Sequence, residues 1–279
     1  MINPIPALSA AIIWAVSPIY YRDYLVMSNV VKVNFYRLLY ASLALLLPFI
    51  IFGFNSAIVY GALSGLLTLA IGDTLYLLSI RDVGASIAAP VAYTYVLLIQ
   101  FAAVFLGESI SVNQIIGSIL IIIGIYMLSN HRGSARKKGI IIALLAALTW
   151  TIGQSSIKLA TLGNINPFSI AFARTFTAMS VLGLFTLINR NEKHANSVVI
   201  GKKKHLSLAI ISISDLGVGS ALYIYSIGTI GLAITIILTS VSPLITQIAS
   251  RILGKEAPSI KDIIAGSIIV FAIIVSTGF

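Results

Sequence analysis

The chain contains no cysteine. That excludes disulfides, thiolate nucleophiles and thiolate metal sites, and it leaves the redox compartment undetermined. Charge is scarce as well. Asp, Glu, Lys and Arg make up 9% of the 279 residues, against about 25% in a soluble domain. Histidine occurs three times, as His131, His194 and His205, always in or beside an expected loop and never in an HExxH pair. A zincin-type centre is excluded on that ground, and no metal or cofactor is expected. There is no GxxxxGK[ST] loop, so no ATP drive is expected within this chain. The opening MINPIPALSAAIIWAV has no basic region ahead of its apolar stretch. It reads as a retained first helix rather than a signal peptide.

What the chain does have is apolar length. Hydrophobic residues make up 58% of it, and the mean hydropathy is +1.03. A membrane-spanning helix needs about 20 predominantly apolar residues. Ten segments approach that: 4–21, 33–53, 57–80, 85–106, 111–129, 139–160, 167–188, 205–228, 232–253 and 259–278. Barrel strands would be shorter and would alternate. The expected class is an all-α polytopic membrane protein with ten transmembrane helices. Connections such as GFNS at 53–56 and RDVG at 81–84 are short, which makes successive helices antiparallel neighbours.

The formal net charge is +10. In a soluble protein that would point to nucleic acid. Here the basic residues lie in loops, where they meet water and anionic lipid, and no nucleic-acid partner is expected. Of the 18 Lys and Arg residues, 15 fall in loops after odd-numbered segments or, as Arg251 and Lys261 do, in the helix turns bordering one, and none falls in loops after even-numbered segments or in the tails. The positive-inside rule then makes the odd loops cytoplasmic and puts both termini outside a multi-pass cell-membrane protein.

The chain also resembles itself. LSAAIIWAVSPIYYR (8–22) is similar to LLAALTWTIGQSSIK (144–158), with Trp14 over Trp150. NFYRLLYASLALLL (34–47) is similar to AFARTFTAMSVLGL (171–184), with Arg37 over Arg174. GDTLYLLSIRDVGAS (72–86) is similar to GSALYIYSIGTIGLA (219–233), with Tyr76 over Tyr223 and Gly84 over Gly231. Glu108 and Glu256 follow in the same order. The matches divide the chain into a first repeat, 1–130, a basic linker, 131–138, and a second repeat, 139–279. Each repeat holds an odd number of helices, five, so the second enters the membrane inverted. In inverted-repeat carriers the substrate sits near the midplane between the halves, and rocking exposes it to each side in turn.

These residues carry a family resemblance. Trp14 and Trp150 near the ends of the first helices, Arg37 and Arg174 in FYR and FAR, and Glu108, Gln114 and Gly117 in GESISVNQIIGSILIIIGI resemble the drug/metabolite transporter superfamily, EamA-type branch. The second copy departs from the pattern, with Glu256 and Gly266 but no Gln. The resemblance implies two five-helix repeats, a carrier function, and a central cavity lined by helices 1, 3, 4, 6, 8 and 9. Many relatives place both termini in the cytoplasm, the reverse of the charge bias here.

Four charged residues lie at least four residues inside the spans: Arg37, Asp73, Arg174 and Asp215. Charge in hydrocarbon is costly, roughly 2.5–3.5 kcal/mol on insertion scales, so such groups face the bundle interior and pair or function there. Helix 2 starts on the side where helix 3 ends, so an Arg37–Asp73 ion pair is expected, the alternative being Arg37 snorkelling to the interface. Asp73 is otherwise a substrate or proton group. Asp215, flanked by Ser212, Ser214 and Gly217, reads either as a transport residue in a wetted cavity or as a serine-bonded structural acid, with Arg174 its nearest cation.

The candidate cavity residues are Trp14, Asp73, Tyr76, Tyr93, Tyr95, Trp150, Gln154, Asp215, Tyr223, Ser242 and Gln247. Tyr20, Tyr21, Tyr24 and Tyr60 fit an interfacial aromatic belt better. Pro90 and Pro243 predict broken or kinked helices 4 and 9 at the cavity. Gly61 and Gly65 form a GxxxG, a helix-packing surface. Helices 5 and 10 read as lipid-facing supports.

The expected function is a secondary transporter. It moves a small polar or amphipathic metabolite, amino-acid-like or aromatic, by alternating access, with export the expected direction. Proton coupling through Asp73 or Asp215 stays open, as do monomer and homodimer. The competing readings are an intramembrane aspartyl protease using Asp73 and Asp215, and a non-transporting scaffold. The protease pattern YD…GxGD…PAL is met only by AIGD at 70–73.

Overall fold

The computed structural model describes residues 3–27, 30–83, 88, 91–128, 137–188, 202–252 and 260–277. Among the described residues all regular structure is helical. Helix α1 is Ile5–Met27 and α2 is Val30–Phe52. Helix α3 runs Ile58–Ser64, widens over Gly65–Gly72, and continues as Asp73–Val83. Helix α4 is Tyr95–Phe105 and α5 is Val112–Leu128. Helix α6 is Lys137–Leu162 and α7 is Pro167–Ile188. Helix α8 repeats the form of α3: Lys202–Ser212, a wide turn Ile213–Gly219, then Ser220–Ile230. Helix α9 is Leu232–Thr239 followed by Ser242–Ile252, and α10 is Ile260–Thr277.

Among the described residues, five helical stretches are long and apolar enough to cross a membrane: Val31–Phe52, Ile58–Ser79, Lys137–Leu162, Pro167–Ile188 and His205–Ile230. The others are shorter apolar helices. The segment expected to end at residue 21 continues to Met27, and the helix expected from 139 begins at Lys137. The linker residues 131–136 lie outside the described residues, as do Gly84, Pro90 and Glu256.

Local chemistry explains the turns. Gly53 ends α2 with φ +67°, a conformation that costs glycine little. Asn166 Oδ1 accepts the Phe168 N–H at 3.0 Å. It caps α7, and Pro167 occupies the first helical position, where its missing N–H does no harm. The break in α9 has a specific cause. Pro243 cannot donate to the Thr239 carbonyl four residues back, and its ring crowds that oxygen. The Ser242 hydroxyl bonds the Thr239 carbonyl instead, at 2.8 Å.

The two wide turns were not anticipated. In each, an N–H reaches back five residues instead of four. The Asp73 N–H bonds the Thr68 carbonyl and the Ser220 N–H bonds the Asp215 carbonyl. Such π-type turns are rare and collect at functional sites.

The packing interleaves the two ends of the chain. Helix α1 lies against α8 and α9, and α6 lies against α3 and α4. Helix α2 runs along α7, and α5 along α10. The GxxxG surface packs α3 onto α7. A Cβ on Gly65 would overlap the Arg174 carbonyl oxygen, and one on Gly61 would meet Ala173 Cβ at 3.3 Å. Helices α5 and α10 are more than lipid-facing supports. Gly117 and Gly124 bring α5 close against Ala272, Ser276 and Ile269 of α10. Only their outer faces, with Ile119, Ile123 and Phe271, are exposed.

Candidate functional site: a charged, aromatic cavity

The membrane-embedded polar residues converge on one cavity of about 540 Å³, drawn from both ends of the chain. Arg37 of α2 sits at its edge. Its Nη2 is 2.8 Å from Asp215 Oδ2 of α8. The Tyr21 hydroxyl of α1 donates to the same oxygen at 2.9 Å. The guanidinium lies 4.0 Å from the centre of the Tyr21 ring, within cation–π range.

This corrects the expected Arg37–Asp73 pair. Arg37 forms its ion pair with Asp215. The reason is tertiary: α2 packs along the wide turn of α8, which presents the Asp215 side chain to it. Asp215 is also no serine-bonded acid. The Ser212 and Ser214 hydroxyls donate to the Leu208 and Ile210 carbonyls of their own helix.

Asp73 meets a different partner. It follows the wide turn of α3, where α3 packs on α6, and its Oδ1 accepts the Trp150 indole N–H at 3.1 Å. The first-copy tryptophan behaves similarly toward α8, with Trp14 Nε1 donating to the Asp215 carbonyl at 3.2 Å. Glycine makes both approaches close. A Cβ on Gly72 would strike the Trp150 ring, and one on Gly219 would meet Trp14 Nε1 at 3.1 Å.

Arg174 is only 3% exposed. Its Nη1 donates to Ser220 Oγ at 2.9 Å and its Nη2 to Thr68 Oγ1 at 3.3 Å, while Nε has no partner. Both partners are neutral hydroxyls.

Of the expected cavity residues, Trp14, Asp73, Tyr76 and Tyr93 line this space, as do Tyr95, Trp150, Gln154 and Asp215. The aromatic wall is continuous. Trp150 lies 5.2 Å from the Tyr76 ring and 5.5 Å from the Tyr95 ring, and Tyr95 lies 5.7 Å from Tyr93. Tyr223 is set back from the lining, fully buried against Trp14 at 4.9 Å. Ser242 is likewise spent on structure, bonding the Ala11 and Thr239 carbonyls. The Gln247 side chain lies outside the described residues.

Sequence reasoning missed Tyr21, assigning it to the interfacial belt. It is buried and part of the Arg37–Asp215 cluster. One signal was there: Tyr21 is seven residues after Trp14, two turns along the same helix face. Tyr24 is buried too, whereas Tyr20 and Tyr60 are exposed as a belt requires. Asn34, Thr68 and Ser220 also line the cavity and were not singled out.

A second polar cluster lies outside the cavity lining. Glu108, just past α4, accepts the Leu232 and Ala233 N–H groups at 2.6 and 3.0 Å. Lys158 Nζ of α6 lies 2.9 Å from Glu108 Oε1. Gly231, at φ +93°, makes the turn into α9. The carboxylate thus caps a helix whose first N–H groups have no partner within that helix. Among the described residues no three metal-ligating side chains gather at one place.

The sequence matches the EamA-like transporter family over residues 4–130 and again over 137–278. It is similar to a protein of Archaeoglobus fulgidus described as an uncharacterized transporter. The two are 30% identical over 190 residues, covering 65% of this chain and 67% of that one. A solved crystal structure shares the fold, with a TM-score of 0.80 at 17% identity, covering 98% of this chain and 95% of that one.

Proposed function

We propose that this chain, which belongs to the EamA-like transporter family, is a secondary carrier. In this reading it moves a small polar or amphipathic metabolite by alternating access through the cavity between its two halves. Family membership and the apolar helices make it a multi-pass integral membrane transporter. The observation that carries the finer reading is the cavity itself. It has the size of a small-molecule site, and it joins the Arg37–Asp215 pair, Asp73 and Arg174 to an aromatic wall.

The inverted-repeat reading, with repeats 1–130 and 139–279, is supported by paired features. The wide turns of α3 and α8, the Trp14 and Trp150 contacts, and Arg37 and Arg174 reaching across to the opposite copy all occur twice. Helices α1 and α6 each pack with the other copy, so rocking one half would reshape the space between them.

The Glu108 cluster supports a closed end. It ties the first half to Lys158 and α9 of the second, on the side of the even-numbered loops. Opening that side requires Glu108 to release α9. With the odd loops cytoplasmic, the cavity loads from the cytoplasm and the cargo is exported.

The test is transport by purified protein in liposomes. A panel of labelled amino acids and small metabolites is offered with and without a pH gradient, to wild type, Asp73→Asn and Asp215→Asn. Saturable movement by wild type supports the carrier. A gradient response lost in one variant that still exchanges cargo makes that aspartate the coupling group. Wild-type behaviour in both folded variants would remove both carboxylates from the mechanism.

A further inference from the structure

The two copies are alike in sequence and unlike in packing. The wide-turn bond of α3 joins Thr68 to Asp73, and that of α8 joins Asp215 to Ser220. Arg174 takes the first residue of the α3 pair and the last of the α8 pair, with Nη2 donating to Thr68 at 3.3 Å and Nη1 to Ser220 at 2.9 Å. The same scheme assigns Arg37 the first residue of the α8 pair, Asp215, and the last of the α3 pair, Asp73. Arg37 holds Asp215 at 2.8 Å. Its Nη1 has only a long bond to Asn34, 3.4 Å, and its Nε has no partner. Asp73 lines the same cavity within electrostatic reach of Arg37, and bonds the Trp150 indole instead.

The helices differ in the same way. The Ser220–Ile230 limb of α8 is packed against both α6 and α7 of its own copy. The matching limb of α3, Asp73–Val83, packs on α6, and among the described residues neither α1 nor α2 packs along it. Ile170 and Ile224, one turn away from Arg174 and Ser220, are fully buried in one core cluster. Their counterparts Val33 and Leu77 line the cavity from α2 and α3, and Leu77 is half-buried. The cavity is the space that the second copy has filled and the first has left open. It lies toward the side where α2 begins and α3 ends.

Inverted repeats reach alternating access by rocking one half on the other around a fixed site. The packed copy then shows the form that the open copy takes when this side shuts. From this we infer that the cavity closes here by the Asp73–Val83 limb of α3 moving onto α1 and α2, with Arg37 as the latch that keeps Asp215 and takes Asp73 as well. The inference deepens the carrier reading and rests on it for the need to close. A guanidinium has donors enough for both carboxylates. Arg174, also within electrostatic reach of Asp73, balances the second negative charge. The wide turn of α3 is the pivot. The Ser79 hydroxyl donates to the Gly139 carbonyl at 2.8 Å, so the start of α6 travels with the limb.

The chain has no cysteine to interfere with a thiol test. Val33→Cys with Leu77→Cys puts one thiol on each side of the gap. In liposomes a short bis-methanethiosulfonate should bridge the pair at a rate that follows the closed population. Labelling of each thiol alone by a monofunctional thiosulfonate corrects for access. Glu108→Gln loosens the opposite end and should raise the bridging rate roughly threefold or more. Asp73→Asn should lower it roughly tenfold, the effect of losing one charge-assisted hydrogen bond from the closed state, and Asp73→Glu should restore it.

No bridge in either the wild-type or the Glu108→Gln background overturns the inference, as does a bridge that forms equally fast with Asp73→Asn. Bridging should also stop transport, and reductant should restore it. Transport that continues with the pair bridged overturns the closure and leaves the carrier reading standing. Bridging in the expected order by a protein that moves no cargo does the reverse.

Discussion

Glu108 is the residue whose loss should cost this fold most for a single side chain outside the cavity. Its carboxylate makes three contacts, with the Leu232 and Ala233 N–H groups and with Lys158 Nζ. Glu108→Ala removes all three. A hydrogen bond to a charged group contributes about 1.5–3 kcal/mol. Removing one member of a buried pair costs about 3–5 kcal/mol. Water can return to the freed N–H groups at a helix end, so the expected loss is at the low end, about 3 kcal/mol. Glu108→Gln keeps an acceptor oxygen but turns an NH2 toward one N–H, and should cost about 1.5–2 kcal/mol. Lys158→Met leaves the Glu108 carboxylate held by its two capping N–H groups at a helix N-terminus, which offset most of the lost pairing, and should cost about 1 kcal/mol.

The assay is equilibrium unfolding in mixed micelles of rising SDS fraction, followed by far-UV circular dichroism. The order Ala, Gln, then Lys158→Met is the diagnostic result. An alanine variant within about 0.5 kcal/mol of wild type, the range of an ordinary surface change, would refute the reasoning. So would Lys158→Met being the most damaging, since the ion pair rather than the helix cap would then dominate.

Four further outcomes follow from the same geometry. Gly65→Ala forces α3 off the Arg174 carbonyl and should cost about 1–3 kcal/mol or more in the same unfolding assay, whereas Gly61→Ala, with its looser contact, should cost clearly less. Asp215→Asn leaves Arg37 without its counter-ion and should destabilise by about 3 kcal/mol or more, while the double change Arg37→Leu with Asp215→Leu recovers most of that loss; a double variant as unstable as the single one counts against the pair. Trp150→Phe removes the indole donor to Asp73 and should cost about 1 kcal/mol in the unfolding assay and weaken cargo binding by more than threefold, read by calorimetric titration. Ser242→Ala leaves the Thr239 carbonyl at the break in α9 without its hydroxyl, a loss of about 1 kcal/mol, and a neutral result would mean the carbonyl finds water.

Much of this molecule is legible without coordinates because hydrocarbon tolerates so few arrangements. Apolar segments of the right length must be helices, and the rarity of charge within them singles out Arg37, Asp73, Arg174 and Asp215 as interior groups. Pro243 announced the break in α9 because a missing N–H acts locally. Trp14 and Trp150 correspond in the sequence, and both line the cavity.

What the sequence could not decide is who meets whom. Arg37 had two carboxylates within reach of its helix end, and spacing along the chain favoured Asp73. Packing of α2 against the wide turn of α8 gave it Asp215 instead. The wide turns carry Gly65, Gly72 and Gly219 where the Arg174 backbone, the Trp150 ring and Trp14 Nε1 come close from other helices, neighbours a linear reading cannot name. Tyr21 and Tyr24 look like surface belt residues until α8 and α2 close over them. Glu108 acts on Leu232, which lies 124 residues away. Composition and periodicity act over a few turns of one helix, so they settle class, spans and candidate residues. Ion pairs and caps form across helices, and only the packed arrangement assigns their partners.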